Sequence, residues 1–337
     1  MKTITMKSYP IKFNPILKEK IWGGTKLINE YNKGNSHSPI GESWEISGVE
    51  GNISTVMNGA YKGMTLNELQ SRFTSDFLGD ENYSRFGQDF PLLIKFLDAS
   101  KDLSIQVHPD DELARSRHGG YGKTEMWYVM DHEKDASVIM GSRDEHTALP
   151  VSGFDATSVD SFFKREKVQN GDIYSIPAGM VHALGAGVMV AEIQQTSDIT
   201  YRIFDWNRKD SEGKKRDLHI DLAQEAIKDF SSTKRISYKA SPNTMTKTVS
   251  NEFFTTNMVD VHSKYKRDLA EVNSFVIYMC VEGRTSITVD NHTEILQAGE
   301  TVLLPANSSE AAFYGPKARL LEVYVDPAMH AYMEAAA

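Results

Sequence analysis

Residues 171–182 read GDIYSIPAGMVH, and residues 299–310 read GETVLLPANSSE. Each stretch opens with glycine, runs through five residues to Pro-Ala, turns at Gly or Asn, and reaches its last position after two more residues. A turn glycine, an extended run and a proline-closed tight turn re-aim the side chain that follows. One such match arises easily by chance, but two on either side of a polar stretch imply a duplicated β-barrel unit. The closing position is His182 in the first copy and Glu310 in the second, so only the first copy is fully equipped if that position holds a metal.

Outward from these stretches the strand-like pattern continues in PLLIKFLDA, LSIQVHP, EMWYVM, VMVAEIQQ, FVIYMCVEG and TSITVD, each bounded by Gly, Asn, Asp or Pro. Many short β-rich runs separated by turn residues predict a sandwich or barrel. Helical signals are few. TLNELQSRF (65–73) carries a capping box, PDDELARSR (109–117) opens with Pro and acidic residues, and HIDLAQEAIKDF (219–230) sets Ile220, Ala223, Ile227 and Phe230 on one stripe. The polar stretch 231–248 reads as a linker, followed by strands, turns and a short helical tail. A chain of 337 residues exceeds the size of a single core. Two domains are expected, a metal-binding one over 1–240 with short helical segments and a smaller one over 241–337 without metal ligands.

The formal charge of −9 argues against a general nucleic-acid binder and means that an anionic substrate needs local cations. Hydrophobic residues at 40% and charged residues at 25% place the chain among ordinary globular proteins. The single cysteine, Cys280, cannot form an internal disulfide and sits in an apolar run, as a buried inert thiol would. Neither a signal peptide nor a membrane-spanning stretch is read, so a cytoplasmic protein is expected.

In SIQVHP, Gln106 and His108 are two residues apart and project from the same face of a strand, leaving Ile105 and Val107 to pack outward. KTEMWYV likewise puts Lys123, Glu125 and Trp127 on one face, and His182 follows the Pro-Ala-Gly turn. Three separated strands thus offer two imidazoles, a carboxylate and an amide oxygen, a catalytic type of site for Zn²⁺ or a similar divalent ion. The other histidines, at 37, 118, 132, 146, 219, 262, 292 and 330, read as surface residues.

Gly171, Pro177, Gly179 and His182 resemble the second signature of the cupin superfamily. Together with IWGG (21–24), FPLLIKFLDA (90–99), LSIQVHPDD (103–111), GKTEMWYV (122–129), PAGMVHALG (177–185) and AEIQQTSDITYRIFDWNR (191–208), they make the chain similar to the type I phosphomannose isomerases. The resemblance runs over roughly residues 10–330. It implies a mostly β protein of two cupin-type jelly-roll barrels with a few short helices, and a zinc-dependent interconversion of mannose 6-phosphate and fructose 6-phosphate. The family's metal ligands carry over to Gln106, His108, Glu125 and His182, and its active-site arginine to Arg202. The large helical insertion of longer members is missing, so the chain resembles the shorter bacterial form.

Aldose–ketose isomerisation moves a proton between C2 and C1, so a base must reach the C–H while positive charge meets the developing oxyanion. A desolvated lysine beside a divalent cation gives up its proton more readily, which makes Lys123 an acid/base candidate. Glu192 is a second base or an orienting partner. Lys95, a cation inside the apolar strand LLIKFL, is expected to face a cavity and bind a substrate oxygen or phosphate. Arg202 can grip phosphate or the reacting oxygens. Trp22, Trp44 and Trp127 can wall a sugar site, although such aromatics more often fill the core; Trp22 is kept as a substrate-binding candidate. The expected partner is a small sugar phosphate, with no nucleic acid or membrane, and the chain is expected to be a monomer or weak homo-oligomer. An iron-dependent cupin oxygenase and a non-catalytic sugar-phosphate sensor are the alternatives.

Overall fold

The computed structural model describes residues 5–36, 38–143, 158–210, 212–228 and 235–329. The readings of His37, His146, His330, Phe230 and the linker's residues 231–234 lie outside the described residues. The protein is mostly β, with few helices, and divides into two compact units.

One unit comprises residues 17–44 and 94–236. A six-stranded antiparallel sheet runs through its strands in the order β1 (Ile16–Gly24), β2 (Ile40–Ile46), β3 (Leu92–Asp98), β10 (Val188–Gln195), β5 (Glu125–His132) and β8 (Ile173–Ile176). A five-stranded sheet takes β11 (Tyr201–Phe204), β4 (Ile105–Val107), β9 (His182–Leu184), β6 (Ser137–Ser142) and β7 (Phe163–Lys167) in that order. Leu97, Trp127, Val129 and Val190 from the first sheet and Val138, Met140 and Leu184 from the second share one buried cluster. Alternate residues of each strand therefore meet between the sheets, as period-2 patterning requires.

The other face of the five-stranded sheet is apolar too. Ile105, Val107, Ala183 and Ile203 pack there with Ala223 and Ala226. The unit's helices are α1 (Lys26–Asn29), α4 (Asp111–His118), α5 (Val159–Phe162) and α6 (Ile220–Ala226). Burial of Ile105 and Val107 against α6 turns the intervening Gln106, and His108 beyond, to the sandwich interior.

The second unit collects residues 1–16, 45–93 and 237–337. It holds α2 (Leu66–Leu78), α3 (Asp80–Phe86) and an antiparallel sheet in the order β12 (Thr244–Ser250), β13 (Thr255–Asp268), β17 (Glu310–Tyr324), β14 (Val276–Val289) and β15 (His292–Gln297), with β16 (Thr301–Leu304) also on β14. A single division after residue 240 does not describe this grouping, for a physical reason. The Phe90 and Phe275 rings pack tilted with centroids 4.8 Å apart, Asn82 Nδ2 donates to Ser274 Oγ and Val325 O at 3.1 Å, and Ile11 exchanges both backbone hydrogen bonds with Leu303. These bonds tie early segments to the late sheet, and no local pattern announces such pairing. The end of the expected linker, 244–248, is likewise part of strand β12.

The capping box appears as read: Thr65 Oγ1 accepts from Glu68 N–H and Glu68 reaches back to Thr65 N–H. The 109–117 and 219–230 readings correspond to the shorter α4 and α6, with Asp110 capping α4 through Leu113 N–H at 2.9 Å.

Candidate metal centre and active-site cavity

His108 follows β4, His182 opens β9 and Glu125 opens β5. In the five-stranded sheet Gln106 stands opposite His182, while Glu125 arrives from the other sheet. The tight turn that delivers His182 needs Gly179: its φ is +91°, and a Cβ there would lie 2.9 Å from Ala226 O.

Ligand-type atoms of His108, Glu125 and His182 all lie within 4.8 Å of one another, and all three residues are buried. His182 Nε2 is 3.2 Å from Glu125 Oε1, and His108 Nε2 is 3.5 Å from Oε2. The second nitrogens are already committed, His108 Nδ1 to Ile199 O at 3.0 Å and His182 Nδ1 to Met180 O at 2.9 Å. A carbonyl can only accept, so each Nδ1 carries the proton and each Nε2 turns its lone pair to the centre. His108 Nε2 and both Glu125 carboxylate oxygens are buried without a hydrogen bond. Leaving such atoms bare is costly unless a cation shares them, so the donor set fits a divalent metal.

Charge supports the same assignment. Burial and the Lys123 ammonium push the His108 imidazole well below its ordinary pKa, which keeps it neutral and able to ligate. Burial alone would raise the Glu125 carboxyl, yet the Lys123 ammonium holds it well below the usual carboxylate range. Gln106 departs from expectation in one respect. Its amide nitrogen, at 3.4 Å, faces His182 Nε2, while its oxygen accepts from Ser104 Oγ at 3.3 Å. Only the oxygen can ligate, so Gln106 is at the centre with its amide turned the wrong way round, a half-turn of one bond from a ligand's pose.

A cavity of about 220 Å³ has Gln106, Lys123 and Trp127 in its wall. Lys123, two residues before β5, brings its Nζ to 3.3 Å from Glu125 Oε2. Lys95 faces the same cavity and is 3% exposed. Its ammonium is 3.1 Å from Glu192 Oε1, donates to Gln194 Oε1 at 2.7 Å, and stands 5.0 Å from the Trp44 ring centroid. Burial works against that charge, but Glu192 and Glu42 outweigh it and raise the Lys95 pKa. Glu192 Oε2 accepts from Trp127 Nε1 at 2.9 Å. Trp22, 3% exposed, both lines the cavity and packs in the sandwich core.

Arg202 and Arg216 also line the cavity. Arg202 Nη1 donates to Asp217 O at 2.8 Å, and Arg216 grips the Asp205 carboxylate through Nε at 2.8 Å and Nη2 at 2.5 Å. Burial and the neighbouring Arg216 charge lower the Arg202 pKa. Lys20, Glu42, Asp198 and Arg216 are cavity residues that sequence reasoning missed. Lys20 and Glu42 form an ion pair of 3.0 Å, each two residues before a tryptophan in its strand, and that spacing was the signal available. Arg216 sits in a charged loop run whose sequence carries no periodicity. His219, read as a surface residue, is half-buried against Arg202 instead.

Residues 11–142 match the family description "Phosphomannose isomerase type I, catalytic domain", and residues 244–325 match "Mannose-6-phosphate isomerase, cupin domain". The Bacillus subtilis mannose-6-phosphate isomerase ManA is 35% identical over 318 residues, 92% of this chain and 97% of that one. The chain belongs to the type I phosphomannose isomerase family. A Streptococcus mutans mannose-6-phosphate isomerase is 33% identical over 91% of this chain and 95% of its own. The crystal structure of a Bacillus subtilis mannose 6-phosphate isomerase superposes with a TM-score of 0.80 at 35% identity, covering 94% of this chain and 99% of that one. A Salmonella typhimurium phosphomannose isomerase variant superposes with a TM-score of 0.74 over 94% of this chain and 99% of its own; at 17% identity this likeness concerns the fold alone. Family membership makes this chain an isomerase on a cupin-containing, mostly β fold. His182 and Arg202 lie beyond the matched catalytic segment, yet the sandwich brings both to the site that Gln106, His108 and Glu125 begin.

Proposed function

We propose that the protein interconverts mannose 6-phosphate and fructose 6-phosphate, with one Zn²⁺ per chain held by His108, Glu125, His182 and a turned-over Gln106. The observation that carries this reading is the set of converging ligand atoms: the His108 Nε2 and both Glu125 oxygens without a hydrogen bond, and the His182 Nε2 met only by the Gln106 amide, buried together beside a cavity rich in cations. Two imidazoles and one carboxylate without thiolates suit zinc in a catalytic site. When bound, the ion supplies Lewis acidity towards the reacting oxygens.

In this reading Lys123, as the free amine, takes the proton from one of C2 and C1 and returns it to the other through an enediolate, because its nitrogen lies in the cavity wall with Gln106 and 3.3 Å from Glu125. Glu192 has its oxygens engaged by Trp127 and Lys95, so its part is to hold Lys95 towards the substrate's oxygens. Arg202 complements the negative charge of the phosphate or the developing oxyanion, and Trp22 forms one wall. The unit that contains residues 244–325 offers no other metal-ligating group among the described residues and serves as structure. The enzyme works in the cytoplasm on a free sugar phosphate, as a monomer or weak homo-oligomer.

Metal analysis combined with a coupled isomerase assay tests this. One divalent ion per chain, loss of turnover on chelation and its return with Zn²⁺ are expected. Undiminished turnover by a metal-free His108→Ala/His182→Ala variant would overturn the reading. Oxygen consumption restored by Fe²⁺ would favour an oxygenase, and saturable sugar-phosphate binding without turnover a sensor.

A further inference from the structure

Arg202 lies on β11, an edge strand of its sheet. Its backbone is nevertheless fully bonded on the open side. Arg202 O accepts from His219 N–H at 2.8 Å, and Arg202 N–H donates to His219 Nδ1 at 3.1 Å. One residue thus supplies both partners that a further strand would supply, with an imidazole nitrogen standing where a carbonyl would be. Two residues earlier, Asp217 O receives the Arg202 guanidinium at 2.8 Å. The segment 217–219 therefore holds this arginine at its backbone and at its tip.

We propose that His219 is a positioning residue, whose unprotonated Nδ1 keeps Arg202 aimed into the cavity and whose protonation sets an acid limit on turnover. The proposal rests on Arg202 acting in the isomerase reaction. A backbone N–H can only donate, so the bond exists only while Nδ1 is bare. The imidazolium would set one N–H against another, and the strand edge at Arg202 would lose its partner.

The surroundings favour the bare form. Burial and then the Arg202 charge lower the His219 pKa, with Asp217 opposing. From β11 it also faces the Tyr201 ring, 6.4 Å away between centroids. Tyr201 OH is in turn 2.8 Å from His118 Nε2 of α4. β4 presents only the apolar Ile105 and Val107 to this layer. The neutral imidazole is the competent form and its pKa is depressed. Activity is then constant above that lowered value and falls as pH drops through it.

Two substitutions separate this role from mere packing. His219→Phe keeps a ring but removes the acceptor, and should lower kcat/KM by about 10- to 100-fold, the range that small misplacement of a site group produces. His219→Asn sets an oxygen near the Nδ1 position and cannot titrate. It should recover most of the loss and erase the acid limb due to His219. In an Arg202→Ala background, His219→Phe should cost nothing more. A wild-type rate in His219→Phe, an unchanged acid limb in His219→Asn, or additive losses with Arg202→Ala would each overturn the proposal. The Arg202 amide resonance of ¹⁵N-labelled protein gives a readout that needs no activity. It should titrate with His219 in the wild-type chain and not in His219→Asn, and an amide indifferent to pH rejects the hold. This arm decides the matter if His219→Phe does not fold. It also distinguishes failure here from failure of the isomerase reading, which an inactive wild-type enzyme would reveal.

Discussion

In the stretch from Gly171 to His182, the glycine N–H donates to Val129 O at 2.8 Å; in the stretch from Gly299 to Glu310, it donates to Cys280 O at the same distance. Both glycines have φ near +90°, at 91° and 86°. The turns close on the same hydrogen bond, Met180 N–H on Pro177 O at 3.2 Å and Ser308 N–H on Pro305 O at 3.0 Å, although φ is positive at Gly179 and not at Asn307. Register extends the parallel, since Ile176 faces Glu125 and Leu304 faces Val276. Trp127 pairs with Glu192 and Tyr278 with Glu322, and in each pair the aromatic donates to the buried carboxylate, at 2.9 Å and 2.7 Å. A cation completes each group, Lys95 at 3.1 Å from Glu192 and Arg267 at 3.1 Å from Glu322. The candidate ligand positions do not repeat. Val276 stands where Glu125 does, and Glu310, the counterpart of His182, is exposed and paired with Lys266 at 2.7 Å. Turn closure, register and a buried acid with its donors belong to the scaffold, whereas the candidate metal ligands are a few side chains placed on one copy.

The widest difference between the copies should appear on truncating their closing residues. His182→Ala removes one of two imidazoles, so metal content should collapse. Turnover should then fall by more than the roughly 100-fold that loss of a metal's outer partner can cost. Metal analysis and the coupled assay check both. Retained metal with retained turnover would mean that the first copy is no better equipped than the second.

Next in size is the buried carboxylate of the second copy. Glu322 is fully buried, and its removal would strand Arg267, Tyr278 and Asn257, which all bond to it. Glu322→Ala should cost about 3–5 kcal/mol of unfolding free energy, as expected when one partner of a buried pair is deleted. Metal content and turnover of the folded protein should not change. A loss below about 1 kcal/mol in denaturant unfolding would show that the repeated acid is not a structural element.

In the first copy the matching network extends to Glu42, and this adds a pH signature. Burial would raise the Glu42 carboxyl, but Lys95, Lys20 and the Trp44 N–H bring it down to about 2. Its folded pKa lies below the unfolded one, so its stabilisation is complete above the ordinary carboxylate value and disappears as pH falls through about 2. Glu42→Gln should therefore be less stable at neutral pH by about 3 kcal/mol, with the gap closing on acidification. A gap of constant size from pH 7 to pH 3 would contradict this assignment.

Local signals made much of the first copy legible. Strand alternation placed Gln106, His108 and Glu125 on inward faces, and a charged residue inside LLIKFL marked Lys95 as a cavity residue. The repeated glycine and proline spacing revealed the duplication because turn conformations impose residue types directly. What escaped depends on contacts far apart in the chain. Ile11 on Leu303 and Phe90 on Phe275 decide which unit the early segments join, and neither segment shows this by itself. Arg216 reaches the cavity from a loop held by Asp205, and His219 serves an edge strand through its side chain; neither arrangement has a sequence period. The half-turn of the Gln106 amide was equally invisible, because sequence spacing constrains a strand's face and not the last torsion of a side chain.

The smallest expected effect sharpens the contrast most directly. Glu310 and Lys266 are both about half exposed, so their ion pair is screened and both charges stay hydrated when it opens. Glu310→Ala should leave metal content and turnover unchanged and move the thermal midpoint by no more than about 1 °C. The position that offers an imidazole to the candidate metal centre in one copy would then be a replaceable surface charge in the other, despite the same closing hydrogen bond in the turn before it. A measurable drop in bound metal on Glu310→Ala would instead place a ligand in the second copy and remove the asymmetry on which the site assignment depends.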